Sequence, residues 1–156
     1  ADSRKGEHME QTNEIMMAFD SRSCNESFAR VTVAAFMTQL NPTLEEVADV
    51  KTAVSEAITN AIIHAYDNQV HKIRLECRLE GKTIEIAVTD FGKGIPDIPK
   101  AMEPLFTTRP ELERSGMGFA FMEAFMDELS VESQVGQGTV VRMKKTVGNR
   151  SVFEED

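Results

Sequence analysis

The residue types best suited to chemistry lie near the middle of the chain, where Glu56, Asn60 and His64 stand four residues apart. Residues at this spacing share one face of an α-helix, which repeats about every 3.6 residues. A carboxylate can act as a general base, and a carboxamide oxygen one turn away can bind a hard cation such as magnesium. His64 could orient a neighbour, although packing is its simpler interpretation. The spacing alone favours a solvated helix face, so a reaction centre is predicted only in combination with other motifs.

A second run, Asp90-Phe-Gly-Lys-Gly-Ile95, follows a predicted strand and could recognise a ligand amino group. The carboxylate of Asp90 can accept a hydrogen bond from such a group, and Gly92 and Gly94 permit close backbone approach. A common strand-to-loop turn is the alternative interpretation. Asp-Phe-Gly also occurs in eukaryotic protein kinases, but this chain has neither their glycine-rich strand loop nor a His-Arg-Asp sequence, which excludes that class.

Two further glycine motifs could contact a nucleotide. The run Ser115-Gly-Met-Gly-Phe119 opens a predicted helix, whose free amides and positive dipole end favour a phosphate. It is not a Walker loop, because no Gly-x-x-x-x-Gly-Lys-Ser/Thr occurs, and it lacks the third glycine of the dinucleotide pattern. Gly138-Thr139 begins the last predicted strand, where a hydroxyl could reach a base directly or through water. An ordinary hairpin residue is the alternative there.

The start of the chain predicts a strand and a helix. Alternating apolar residues indicate a short strand that ends near Asp20. A helix follows from a cap at Ser23 or Asn25 through Leu40, because Asn41-Pro42 stops it. Its apolar residues at helical spacing are Phe28, Val31, Ala35 and Phe36.

A second helix and a hairpin are predicted next. Thr43 and Glu46 form a Thr-x-x-Glu capping box that opens the helix. Its apolar stripe consists of Val47, Val50, Val54, Ala57 and Ala61. Residues 73–79 and 84–88 then alternate around a turn at Glu80-Gly81, which predicts a β-hairpin.

The remaining segments predict a lid, a third helix and a final hairpin. Residues 91–115 read as a long loop, and loops of this length tend to be functional lids. A helix is predicted from about Met117 to Asp127, followed by a hairpin that turns at Gly136-Gln-Gly138. The sum is an α+β sandwich, in which helices cover one face of a sheet.

Composition limits the classes of function. The 156 residues suit one domain, and the formal net charge of −9 argues against direct nucleic-acid binding, which needs a basic surface. No apolar run is long enough to span a membrane, and the segment 9–20 lacks the basic start of a secretory signal, so we expect a cytoplasmic protein with no membrane partner. The two cysteines, Cys24 and Cys77, are too few for a disulfide framework and lack zinc-site spacing.

The sequence divides into three segments. Residues 1–8 are polar, have no apolar period and end in His-Met before a plausible start, so we expect an expression remnant. Residues 9–147 show no repeat, low-complexity tract or linker, which predicts a single domain. Residues 148–156 form a polar tail.

The order of the motifs along the chain resembles that of a known family, although no single motif is specific to it. Glu-x-x-x-Asn on a helix, Asp-x-Gly-x-Gly after a hairpin, a lid, Gly-x-Gly at a helix start and then Gly-Thr together resemble the N, G1 and G2 boxes of the GHKL ATPases. Within that superfamily, residues 25–36 (NESFARVTVAAF) and 104–119 (PLFTTRPELERSGMGF) resemble the anti-sigma F family of sporulation serine kinases. The resemblance implies the Bergerat fold, an α/β sandwich with a mixed, mostly antiparallel sheet and helices on one face.

The resemblance also implies a role for each matching residue. Glu56 would be the general base toward a serine hydroxyl, Asn60 would bind magnesium, and Asp90 would accept from the adenine amino group. Arg114 would stabilise the transferring phosphoryl group, with a surface pair to Glu111 as the alternative. The remaining nucleotide contacts would come from the loops, the lid and the last strand: Gly92, Gly94, Ile95, Thr107, Thr108, Ser115, Gly116, Met117, Gly118, Phe119 and Thr139.

The implied function is twofold. The chain would bind a sporulation sigma factor through Arg30 and block its use by RNA polymerase, and it would transfer the γ-phosphate of ATP to a serine of an anti-anti-sigma partner. We therefore expect a homodimer that uses ATP, ADP and Mg²⁺, with the first helix and the adjacent sheet as its dimer surface.

Three alternatives stay open. The chain could be the catalytic domain of a sensor histidine kinase, which the lack of a preceding acceptor-histidine hairpin disfavours. It could be the related kinase of the general stress-response sigma factor, which differs in its partner. It could also be a non-catalytic, nucleotide-gated sigma-binding module, because a fold does not guarantee catalysis.

Overall fold

The computed structural model describes residues 12–103 and 118–148. Its centre is one antiparallel sheet of five strands in the spatial order β1-β2-β3-β5-β4. The strands are β1 (Thr12–Asp20), β2 (Lys72–Glu80), β3 (Thr83–Asp90), β4 (Glu128–Gln134) and β5 (Gly138–Thr146). The α+β class is confirmed. Each strand pair that the structure describes is antiparallel, so the sheet is not mixed over the described residues.

The helices within the described residues are α1 (Ser23–Met37), α2 (Leu44–Asn60), α3 (Ile98–Ala101) and α4 (Gly118–Phe125). A 3₁₀ turn, Thr38–Leu40, continues α1 to its predicted end, and a π-helical turn, Ala61–Ala65, continues α2. Helix α2 packs against both α1 and α4. None of the helices in the described part is long and apolar enough to cross a membrane.

The core lies between these helices and one face of the sheet. The inward residues of β2 and β3 are buried, as their alternation predicted: Ile73, Leu75, Cys77, Leu79, Ile84, Ile86 and Val88. The predicted stripe of α2 packs against them, with Val47 partly buried and Val50, Val54, Ala57 and Ala61 buried. The outward residues of β2 are charged and form surface ion pairs such as Arg78 with Glu14 (Nε to Oε2, 3.2 Å), which contribute little to stability.

Helix α1 is oriented differently from the prediction. Phe28, Val31 and Ala35 were expected on its apolar face with Phe36, yet Phe28 and Val31 are 61% and 57% exposed and Ala35 is exposed as well. The residues that α1 buries are Ala29, Val33, Phe36 and Met37. An apolar residue on a helix is not obliged to face the core, because much of any protein surface is apolar.

The capping predictions had different outcomes at α1 and α2. Neither Ser23 nor Asn25 caps α1; its N-cap residue is Arg22 and no side chain caps it. Asn25 Nδ2 instead donates to the carbonyl oxygen of Asp20 at 2.9 Å, which ties the helix start to the end of β1. The capping box of α2 is confirmed: Thr43 Oγ1 accepts from the Glu46 amide at 3.1 Å, and Glu46 Oε1 accepts from the Thr43 amide at 2.8 Å.

Four other predicted segments differ from the structure or lie outside the described residues. The predicted loop 91–115 contains the short helix α3, which begins at an Asp97 cap. Helix α4 ends at Phe125, two residues before its predicted end. The predicted remnant 1–8 and all but the first residue of the predicted tail 148–156 lie outside the described residues.

Candidate active site

Two residues of the predicted reaction centre meet the start of α4. Glu56 lies in the last part of α2, Asn60 is its final residue, and both are half-buried. A Cβ atom added to Gly118 would lie 3.1 Å from both Nδ2 and Oδ1 of Asn60 and 3.4 Å from Oε1 of Glu56. The contact between α2 and α4 therefore places a carboxylate, a carboxamide and a helix start close together.

These elements border a cavity of about 420 Å³, a size typical of small-molecule sites. The predicted nucleotide-binding residues that line it are Asn60, Asp90, Gly94, Ile95, Gly118, Phe119 and Thr139. The apolar part of the wall includes Ala57 of α2, Ala61 of the π-helical turn, Val88 and Val141 of the sheet, and Val135 of the turn between β4 and β5. A wall that is mostly apolar with a few convergent polar groups suits a flat ring that carries polar edges.

Asp90 is the buried charged group of this cavity. It is the last residue of β3 and is only 7% exposed. Burial raises the pKa of its carboxyl group, while hydrogen bonds from the backbone amides of Gly92 and Thr139 act in the opposite direction. Gly92 does not line the cavity; its amide donates to Asp90 Oδ1 at 3.0 Å and so acts through the carboxylate. A buried acceptor on the wall of such a cavity can select a ligand that donates a hydrogen bond.

Ser133 is a residue of the site that the motifs did not reveal. Its hydroxyl accepts from the Ile95 amide at 2.7 Å, donates to the Gly138 carbonyl oxygen at 3.0 Å and lies 2.8 Å from Thr139 Oγ1. It therefore joins the loop after β3 to the β4–β5 hairpin. The available signal was a polar residue that continues the inward positions of Leu129 and Val131 on β4.

The loop after β3 passes very close to this hairpin. Gly94 has a φ of 81°, and an added Cβ atom would lie 2.4 Å from the Gln134 carbonyl oxygen. The amide of Gly136 donates to the Lys93 carbonyl oxygen at 2.8 Å. A side chain at position 94 would thus require both an unfavourable backbone conformation and a shift of β4.

His64 does not occupy the position that a continuous α-helix would give it. The α-helix ends at Asn60 and the π-helical turn carries His64, which is half-buried and lines the cavity. His64 still lines the same cavity as Asn60, as a shared face predicted, although the turn that carries it is π-helical rather than α-helical. Turns of this kind occur frequently at functional sites.

Tyr66, the residue after the π-helical turn, is a second group that the motifs did not reveal. It is buried, and its hydroxyl donates to the Lys72 carbonyl oxygen at 2.6 Å and accepts from the Phe91 amide at 2.7 Å. Burial raises the pKa of Tyr66 from its ordinary value, so the hydroxyl stays protonated near neutral pH.

Arg30 does not line the cavity. Its Nη1 atom lies 3.3 Å from Ser55 Oγ and 3.5 Å from Glu26 Oε2, and Ser55 Oγ donates to the same carboxylate oxygen at 3.0 Å. The guanidinium group is therefore held between α1 and α2 by Glu26 and Ser55.

Several predicted residues lie outside the described part of the chain: Thr107, Thr108, Arg114, Ser115, Gly116 and Met117. Within residues 12–103 and 118–148, no group of three or more His, Cys, Asp and Glu side chains could hold a metal ion.

Comparisons with known structures support the fold. The structure of the RsbU and RsbW domains of a Mycobacterium tuberculosis protein superposes with a TM-score of 0.63 at 18% identity, over 86% of this chain and 32% of that chain. The histidine kinase domain of a blue-light activated histidine kinase from Erythrobacter litoralis gives a TM-score of 0.50 at 18% identity, over 78% of this chain and 61% of that chain. At these identities the likeness concerns the fold alone.

Sequence comparisons identify the family as well as the fold. A family profile described as "Histidine kinase-like ATPase domain" matches residues 21–145, which implies that the site binds ATP. A protein of Thermoanaerobacter sp. (strain X514) named Anti-sigma F factor is 60% identical over 141 residues, 90% of this chain and 99% of the relative. A protein of the same name from Geobacillus kaustophilus is 57% identical over 136 residues, 86% of this chain and 93% of the relative. The chain belongs to the histidine kinase-like ATPase domain family and, within it, to the anti-sigma F factors.

Proposed function

We propose that the chain is an ATP-dependent protein serine kinase that also binds and inhibits a sporulation sigma factor. Its phosphate acceptor is a serine on an anti-anti-sigma partner. The observation that carries the proposal is the meeting of Glu56 and Asn60 with the start of α4, beside a cavity that Asp90 lines. One site then holds a base-recognition group, a metal-binding oxygen and a general base.

The described residues suit a bound adenine nucleotide. Asp90 would accept a hydrogen bond from the adenine amino group, with Thr139 beside it. The Gly94-Ile95 backbone and Phe119 would enclose the base and sugar region. The amides at the start of α4 would face the phosphates, because a helix start favours negative charge.

Asn60 fits the magnesium ion that such a nucleotide carries. Magnesium is often held by one or two protein oxygens together with substrate phosphates and water, so one carboxamide oxygen suffices. A side chain at position 118 would crowd this carboxamide, and glycine leaves the space open. When bound, the ion would offset charge on the phosphate oxygens during transfer.

Glu56 would accept the proton of the attacking serine. In the transfer step, the serine oxygen forms a bond to the γ-phosphorus, the bond between that phosphorus and the β,γ-bridging oxygen breaks, and ADP leaves. The serine proton passes to the Glu56 carboxylate. Arg114 and the lid residues Thr107, Thr108, Ser115, Gly116 and Met117 would complete the phosphate contacts.

Sigma-factor binding is assigned to the surface around Arg30 on α1. The same helix exposes Phe28 and Val31, which adds apolar contact area to this helix. We extend the proposal to a homodimer that buries part of α1 and the neighbouring sheet. The nucleotide would choose between partners, since ATP and ADP can shift a lid equilibrium only by binding its two states with different affinity.

One experiment separates these activities. Purified protein is incubated with γ-labelled ATP, Mg²⁺ and an anti-anti-sigma protein, and in parallel with immobilised sporulation and stress-response sigma factors. Serine labelling together with capture on the sporulation sigma factor supports the whole proposal. Capture without labelling indicates a nucleotide-gated binding module, and capture on the stress-response factor alone indicates the related kinase.

A further inference from the structure

The hydroxyl of Tyr66 occupies an unusual place between two strands. Strands β2 and β3 pair in a register that sets Ile73 opposite Asp90. If this register continued by one residue, Lys72 would lie opposite Phe91. In a hydrogen-bonded pair of an antiparallel sheet, the amide of one residue donates directly to the carbonyl oxygen of the other. Here the Tyr66 hydroxyl stands between them, donating to the Lys72 carbonyl oxygen at 2.6 Å and accepting from the Phe91 amide at 2.7 Å.

The inserted hydroxyl separates the two strands at the end of the ladder. Both backbone groups remain hydrogen-bonded, but β3 is released from β2 immediately after Asp90. The chain can then leave the sheet toward the π-helical turn. There the Lys93 amide donates to the Ala65 carbonyl oxygen at 3.3 Å.

This departure fixes the surroundings of the Asp90 carboxylate. The residue after Phe91 is Gly92, whose amide donates to Asp90 Oδ1 at 3.0 Å. An added Cβ atom at Gly92 would lie 2.4 Å from the Ala65 carbonyl oxygen, so the turn is pressed against the helix end and has little room to adjust. The position of the Phe91 amide therefore determines where the Gly92 amide, and with it the carboxylate, can lie.

We propose that Tyr66 is a positioning residue for base recognition: its hydroxyl holds the turn after β3 so that Asp90 selects a purine with an amino group over one with a carbonyl group. The inference rests on the proposed nucleotide function. Tyr66 itself does not line the cavity and acts through Phe91, Gly92 and Asp90.

Removing the hydroxyl should weaken this selection. In Tyr66→Phe the ring can keep its contact with His71, where the ring centroids lie 4.9 Å apart. The Lys72 carbonyl and Phe91 amide would lose their shared partner and could bond directly to each other, which would draw the turn toward β2. The carboxylate would then lose its fixed orientation, although it would remain in the site.

Ser21 supplies a matched control. Its hydroxyl also bridges two backbone groups, accepting from the His71 amide at 2.9 Å and donating to the Gln69 carbonyl oxygen at 3.0 Å. It is buried, as Tyr66 is. Ser21→Ala therefore removes a comparable bridge from the segment that precedes β2, without touching Phe91.

The experiment compares the dissociation constants of ATP and inosine triphosphate for the wild type, Tyr66→Phe and Ser21→Ala, with thermal unfolding as a check on folding. We expect the preference for ATP to fall about tenfold in Tyr66→Phe, as one misplaced hydrogen bond would cause, and to persist in Ser21→Ala. An unchanged preference in a folded Tyr66→Phe protein would overturn the inference and leave the proposed function intact. Failure of the wild type to bind ATP would contradict both this inference and the proposed function.

A second measurement does not depend on the variant. Tyr66 is the only tyrosine of the chain, so 3-fluorotyrosine introduced biosynthetically gives a single ¹⁹F resonance. Because its hydroxyl is linked to Asp90 through the turn, this resonance should shift more on addition of ATP than of inosine triphosphate. Equal shifts, or none with either nucleotide, would contradict the proposal.

Discussion

The Ile95 amide donates to Ser133 Oγ at 2.7 Å, and this contact joins the loop after β3 to the β4–β5 hairpin. The same hydroxyl lies 2.8 Å from Thr139 Oγ1, so a single side chain supports two elements of the cavity wall. The candidate base site therefore depends on a residue outside the glycine motifs.

Ser133→Ala should weaken both folding and nucleotide binding. The Ile95 amide and the Thr139 hydroxyl lose a partner in a partly buried place, which we expect to lower the free energy of unfolding by about 1–3 kcal/mol. The dissociation constant of ATP should rise about tenfold, because the loop is no longer held. Chemical denaturation and nucleotide titration measure these effects. Ser130→Ala, at an exposed position of the same strand, should change neither, and equal effects in the two variants would contradict this role.

Gly118→Ala should separate stability from nucleotide binding. Alanine favours a helix interior over glycine by about 1 kcal/mol, but Gly118 is the first residue of α4, so we expect little change in stability. The new methyl group would crowd the Asn60 carboxamide from 3.1 Å, and ATP affinity in Mg²⁺ should fall about tenfold or more. The control, Ala124→Gly on the exposed side of α4, should lower stability and keep ATP affinity. Retained ATP affinity in Gly118→Ala would show that this close approach does not matter.

Asp90 should make the protein less stable as the pH rises. Burial raises the pKa of this carboxyl group in the folded protein above its ordinary value of 3.8, so the folded state binds more protons than the unfolded state between those two pKa values. Stability from this group is then fully present below the unfolded pKa and is lost as the pH passes through the folded pKa. Asp90→Asn should abolish this loss while reducing ATP selectivity.

Urea denaturation of the wild type and Asp90→Asn from about pH 4 to about pH 8 checks the sign. The stability of the variant relative to the wild type should increase with pH. A difference that decreases with pH would mean that the hydrogen bonds from Gly92 and Thr139 outweigh burial.

The two cysteines should differ sharply in reactivity. Burial raises the pKa of the Cys77 thiol to about 12 and the residue is 2% exposed, whereas Cys24 is exposed. A thiol reagent should therefore modify one cysteine quickly in the native protein and the other only after unfolding. Counting modified thiols with and without denaturant tests this, and Cys24→Ser should abolish the fast reaction. Rapid native modification of Cys77 would contradict the packing of β2.

Local sequence patterns predicted those parts of the fold that depend only on residues close together in the sequence. The Thr43 and Glu46 capping box and the alternation of β2 depend on neighbours in sequence, and both are confirmed. Helix α1 was harder, because Phe28 is apolar and still faces outward, and because Asn25 bonds to Asp20 rather than capping. Whether an apolar residue is buried depends on what packs there, which periodicity does not specify.

The motif residues of the candidate site could be predicted from the sequence, but the residues that hold them in place could not. Asn60, Asp90 and Thr139 carry recognisable spacing, and they line one cavity. Ser133 and Tyr66 act through strand register: each hydroxyl meets a backbone group more than twenty residues away in sequence. Such contacts form only once the strands are paired, so no local sequence pattern predicts them.

The most direct test of the central claim is single-turnover phosphoryl transfer to the anti-anti-sigma protein by wild type and Glu56→Gln. The substitution keeps size and hydrogen-bonding capacity but removes the group that accepts the serine proton. We expect the rate to fall about 100-fold or more, with ATP affinity and capture on the sigma factor within about twofold of the wild type. A Glu56→Gln protein that transfers phosphate at the wild-type rate would contradict the assignment of Glu56 as the general base of a serine kinase.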